Sequence, residues 1–126
     1  MSNQYDLVYD KLIDQIDENA NIQPREAEVF ANKFFKALYN IAKDLRDARS
    51  ELAIIEPTLK MVYCEAIKKN KEGKTVTEKK TMAEGDDLYI ETIKIVTECK
   101  NNVEYLKDLY STIENGFIFF RQMSKQ

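Results

Sequence analysis

From Ala27 onward the apolar residues advance by alternating steps of four and three: Ala27, Ala31, Phe34, Leu38, Ile41, Leu45, Ala48, Leu52, Ile55, Leu59, Val62 and Ala66. Two apolar positions in every seven make a stripe along one side of a helix, which is buried by packing on a second helix. Pro24 suits the first turn of that helix, where its missing amide has no partner to lose. Pro57 removes an amide and crowds the carbonyl of Ala53, yet the stripe keeps its phase across it. The pattern predicts one kinked helix, with two helices meeting at "EPT" as the alternative.

A second stripe begins at Tyr89. Tyr89, Val96, Val103, Tyr110 and Phe117 repeat every seven residues, and Thr92, Cys99, Leu106, Ile113 and Phe120 fill the complementary positions. Thr75 and Glu78 have the spacing of a capping box before it. In "AEGDD", Gly85 is placed to end one helix and Asp86 to cap the next. Two stripes of similar length joined by a short loop predict an all-α fold, a long antiparallel helical hairpin of coiled-coil type. A turn near Gly73 makes facing residues sum to about 147, give or take a helical turn. Ala27 and Ala31 then lie near Phe120 and Phe117, and Ala48 near Cys99. Each arm would extend roughly 70 Å, leaving Phe30, Phe35, Tyr63, Ile95, Leu109 and Met123 as apolar flanks. A homo-oligomer would cover them; folding back at Pro57 and Gly85 is the alternative.

Ahead of the hairpin, Tyr5, Val8, Tyr9, Leu12, Ile13 and Ile16 recur at helical spacing, with Asp6, Asp10, Asp14 and Asp17 on the other side. This predicts a short acidic amphipathic helix. Three glycines and two prolines in 126 residues, with a third of the chain charged, suit long helices better than a sheet needing frequent turns. Length and pattern together predict one helical domain over residues 1–126. The start "MSNQYDLVYD" lacks a signal-peptide pattern, and the longest fully apolar run is "FIFF" at 117–120, so no membrane association and a cytosolic location are expected.

Candidate chemistry is sparse. The chain has no histidine, and Cys64 and Cys99 form no CxxC or ligand cluster, so no metal site is expected and the cysteines read as small core residues. The pairs Asp14 with Asp17 and Asp86 with Asp87 fall on an exposed helix face and at a helix start, where acids have structural uses. No phosphate-cradling glycine motif is present. The expectation is a protein that is not an enzyme and carries no cofactor.

Charge changes the picture at one place. The net charge is −3, but residues 1–28 carry seven acids and two bases, whereas "KKNKEGKTVTEKK" at 68–80 holds six lysines and two glutamates. Lys68, Lys69, Lys71, Lys74, Lys79 and Lys80, with Lys60 on the helix before them, are candidate contacts for nucleic-acid phosphates. Tyr63, off the stripe and close to the lysines, is a candidate base-stacking ring. The same lysines also suit the solvated tip of a hairpin, and both readings stay open. One tip offers few phosphate contacts, so binding would draw on several copies.

The order of parts from about residue 40 to the end resembles the phage recombination mediators of the UvsY type. The resemblance rests on the basic helix "TLKMVYCEAIKK", a polar loop, "TEKKTMAEGDDLYIE", and a long helix closing with "IENGFIFFRQM", including Gly116, Phe117, Ile118 and Met123. It implies a small helical oligomer that binds single-stranded DNA and helps load a recombinase onto strands covered by single-strand-binding protein, in a bacterial or phage-infected cytosol. The family's DNA contacts are a lysine and an arginine two residues apart; Lys60 matches the first, and Val62 stands at the second. The other function class is a protein-binding adaptor, an assembly factor or an inhibitor of a host system, acting through the helical flanks.

Overall fold

The structure, a computed structural model, describes residues 9–14, 22–69 and 75–125. It is all-α, with no strand among the described residues. Residues 9–14 are helical, α1 spans Pro24–Lys69, α2 spans Val76–Glu84 and α3 spans Asp87–Ser124. Helix α1 begins at Pro24, as the sequence predicts, and its first bond runs from the Ala27 amide to the Gln23 carbonyl at 3.0 Å.

Pro57 does not stop α1. Ala53 and Pro57 are both exposed, so water reaches the carbonyl that the proline leaves without a donor. The Thr58 hydroxyl donates to the neighbouring Ile54 carbonyl at 3.2 Å. Both predicted caps are present further on. The Thr75 hydroxyl accepts the Glu78 amide at 3.1 Å, opening α2. Asp86 opens α3, its Oδ1 accepting the amides of Leu88 at 3.0 Å and Tyr89 at 3.2 Å. Gly85 ends α2 in a right-handed conformation, its amide donating to the Met82 carbonyl at 3.2 Å.

The chain divides into two compact units, Met1–Arg46 with Glu104–Gln126, and Asp47–Val103. In the first unit α1 and α3 run antiparallel, with Phe120 between Phe30 and Phe34 at ring distances of 5.1 and 5.3 Å, and Phe35 beside Phe117 at 5.8 Å. Facing numbers there sum to about 152, roughly one turn from the sequence expectation. The core is Ala27, Ala31, Phe34, Ala37, Leu38, Ile41, Leu109, Ile113 and Phe120, closed on one side by Tyr9 with Leu12 and Ile13. Alanines along α1 let the phenylalanines of both helices interdigitate. Tyr9 is buried while Asp10, Lys11 and Asp14 are exposed, as an amphipathic helix requires. Burial, and then the negative charge of Asp44, hold the Tyr9 hydroxyl above its ordinary pKa. Tyr5, Asp6, Val8, Ile16 and Asp17 lie outside the described residues.

The reading of the flanks needs correction at three residues. Leu109 is buried in the core, and Phe30 and Met123 pack against it, so their cover comes from within the chain. Of the other predicted flanks, Phe35 stays open at 58% exposure and Ile95 at 41%, and Tyr63 is half-buried.

In the second unit α1 packs with α2 and α3 over Ala48, Ala66, Ala83, Thr92, Val96 and Val103, all buried. The Thr92 hydroxyl satisfies itself on the Leu88 carbonyl at 2.7 Å. Leu52, Ile55, Leu59 and Val62 of the predicted stripe are only half-buried. Cys64 is exposed and Cys99 half-buried, both as free thiols. The core assignment of Cys64 therefore fails: it lies two residues past Val62 and two before Ala66, on the outer side of α1.

Candidate nucleic-acid interface

All the described candidates of the basic segment belong to the second unit. Lys60 and Lys68 share one face of α1 because eight residues make slightly over two turns, roughly 12 Å along the axis. Between them Met61, Cys64 and Glu65 complete a shallow open groove of about 350 Å³. Met61, 63% exposed, gives the groove an apolar floor, and Glu65 is the acid among its described lining residues. Lys69, Lys80 and the two groove lysines are exposed, and Lys79 is half-buried. Lys71 and Lys74 lie outside the described residues.

Ion pairing separates these cations. Lys69 Nζ stands 3.7 Å from Asp86 Oδ2, which links the last turn of α1 to the residue that caps α3. Among the described residues Lys60, Lys68, Lys79 and Lys80 have no carboxylate within salt-bridge distance. Their charge is compensated by solvent and counterions, the condition in which phosphate binding gains from counterion release.

Tyr63 differs from its expected role as a free stacking ring. It is half-buried, and its ring centre lies 4.9 Å from that of Tyr89 at an interplanar angle of 41°. Partial burial, then the charge of Glu84 and the neighbouring Tyr89, raise its hydroxyl pKa, so the ring stays neutral over the physiological range. The sequence pattern places Tyr89 on the core stripe; its role as partner to Tyr63 follows only with facing numbers near 152, since a sum of about 147 puts Glu84 opposite Tyr63 instead.

Sequence reasoning also passed over an apolar groove in the first unit. Phe35, Leu38, Tyr39, Ala42, Tyr110, Glu114, Phe117 and Ile118 line about 410 Å³ between α1 and α3. Tyr39 and Ile118, 70% and 44% exposed, sit one residue beyond stripe positions, so periodicity does not mark them as part of a groove.

Among the described residues no cluster of histidine, cysteine, aspartate or glutamate has a geometry for a metal ion, and no helix is long and apolar enough to cross a membrane. Compared with known protein families, curated proteins and solved structures, the chain finds no match in any of the three.

Proposed function

We propose that this protein binds single-stranded DNA without sequence preference and serves, as several copies together, as a recombination mediator that helps load a recombinase onto strands covered by single-strand-binding protein. The observation that carries this reading is the pair Lys60 and Lys68, exposed, without a carboxylate partner among the described residues and spaced two turns apart on one face of α1 with Met61 between them. A sugar-phosphate backbone needs clustered cations more than it needs shaped donors. Lys80, Lys71 and Lys74 add charge from the following segment, and Lys69 joins them by leaving Asp86. The site needs no metal, cofactor or catalytic group, and its place is the bacterial or phage-infected cytosol.

The mediator role is what the UvsY-type resemblance adds; the lysine face supports only the binding step. Fluorescence anisotropy with a labelled oligothymidylate at low salt tests that step. Replacing Lys60 and Lys68 by glutamine is expected to weaken binding about tenfold or more, since each lysine engaged with a phosphate carries a share of the counterion release. Unchanged binding in that variant removes the site.

A second reading has its own observation. The open groove around Phe35, Tyr39 and Ile118 is what a protein-binding adaptor would use, and it has no cation on its floor. An adaptor with no affinity for DNA would fail the anisotropy test while keeping its fold.

A further inference from the structure

The apolar groove of the first unit carries a pattern of charge along its rims that says what covers it. On α1 the open face presents Arg25, Glu28, Asn32, Phe35, Tyr39, Ala42 and Arg46, which follow one another by three and four residues and so line one side of the helix. On α3 the same face presents Glu104, Lys107, Ser111, Glu114, Ile118 and Arg121, with Lys125 just past its end. The opposite side of this helix pair is closed by Tyr9, Leu12 and Ile13, while this side has Phe35, Tyr39 and Ile118 in solvent.

From these faces we infer that the groove is a self-association surface, covered by the same face of a second copy about a two-fold axis parallel to the helices. That operation lays α1 of each copy antiparallel on α3 of the other, so that every helix has antiparallel neighbours in a four-helix layer. Levels follow from the ring pair Phe35 and Phe117, which fixes facing numbers near 152. Glu28 then meets Arg121 and Lys125 of the second copy, Phe35 meets Ile118, the Tyr39 hydroxyl reaches the Glu114 carboxylate, and Arg46 meets Glu104. Glu28 thus stands at the basic end of α3 and Arg46 at Glu104, with the apolar residues between them, while Arg25 falls beyond the last turn of α3. Lys107 also falls near Arg46, but its ammonium lies 3.5 Å from Glu104 Oε1 in its own chain, which tempers the repulsion.

The other face-to-face arrangement, with the two-fold across the helices, sets Glu114 against Glu114 and Arg121 near Lys107. Its rims pair Glu28 with Arg46 and Glu104 with Lys125, but the two Glu114 carboxylates meet at its centre among the apolar residues, and that central repulsion disfavours it. An unrelated partner would have no reason to find the two rims of one chain complementary to each other.

Light scattering on the full chain after size exclusion reads this directly, and it does so whether or not the lysines bind DNA. Ile118→Glu is expected to halve the wild-type mass at equal concentration, and Tyr39→Glu, at a still more exposed position, to do the same; far-ultraviolet circular dichroism checks that both stay helical. Glu28→Arg alone and Arg121→Glu alone should each raise the dissociation constant roughly fivefold, because each places two like-charged pairs across the two-fold. Mixing those two variants should restore wild-type affinity, since in the mixed dimer both cross-copy pairs are again opposite while each chain keeps its own like-charged pair. A wild-type monomer, a mass indifferent to Ile118→Glu and Tyr39→Glu, or a mixture no tighter than its components would each overturn the inference.

Discussion

The ring of Tyr63 lies against the ring of Tyr89, 4.9 Å between centres, on facing sides of α1 and α3 in the second unit. An aromatic pair tilted in this way is a favourable contact beyond the area it covers. Its first consequence is that Tyr63→Ala should lower the melting temperature, whereas Tyr63→Phe should leave it almost unchanged because the ring contact survives. Thermal melts of the three proteins check this. If Tyr63→Ala melts with the wild type but loses DNA affinity, the ring serves the ligand and not the fold.

Asp86 gives a separate measurement of the same unit. Its Oδ1 caps α3 and its Oδ2 meets Lys69. Asp86→Ala removes both and is expected to cost about 1 kcal/mol in urea unfolding, the usual value of an N-cap. Asp86→Asn retains a capping oxygen and should lose only a few tenths, as the Lys69 side of the ion pair is largely exposed and the 3.7 Å contact is long. Equal losses for the two variants would mean that the ion pair outweighs the cap.

In the first unit, Phe120 is fully buried between Phe30 and Phe34. Phe120→Ala should destabilise the protein by about 3 to 5 kcal/mol, the range for emptying an aromatic site in a packed core. Denaturant unfolding gives the value; a loss below about 1 kcal/mol would mean that the surrounding helices close the space.

Tyr9 supplies a pH dependence. Burial and Asp44 raise its hydroxyl pKa in the folded state, so the folded protein holds that proton more tightly than the unfolded chain. The contribution is fully present below the ordinary tyrosine pKa of about 10 and is lost as pH rises from there through the folded value. Between pH 9 and 11 the stability of wild type should fall more steeply than that of Tyr9→Phe, as measured by urea unfolding at each pH. Parallel curves would show that Tyr9 does not titrate differently on folding.

The helices were legible in the sequence because their signals are local. The stripe from Ala27 to Ala48, the first-turn proline, the Thr75 and Asp86 caps and the Gly85 stop each depend on residues within two turns. Register was not local. It was set by assuming a turn at Gly73, and the ring pairs of Phe35 with Phe117 and Tyr63 with Tyr89 move it by about a turn. The same limit explains the flanks: periodicity put Leu109 beside the stripe, but that Tyr9, Leu12 and Ile13 close the core around it depends on how a separate helix docks. For the candidate site, charge density picked out the lysines, while the exposure of Cys64, the Lys69 to Asp86 pair and the sheltering of Tyr63 needed coordinates.

Binding of single-stranded DNA through the lysines of the second unit is tested most directly by the salt dependence of oligothymidylate anisotropy. Each engaged lysine releases the counterion of one phosphate, so log Kobs should fall linearly with log salt at about 0.7 per contact on a single strand. Wild type is expected to show a slope of magnitude about 2 or more, and the variant with Lys60, Lys68, Lys69 and Lys80 changed to glutamine a clearly shallower one, to which only Lys71, Lys74 and Lys79 still contribute, with unchanged helicity. No binding by wild type at low salt, or equal slopes for wild type and variant, would contradict it and leave these lysines as a solvated surface.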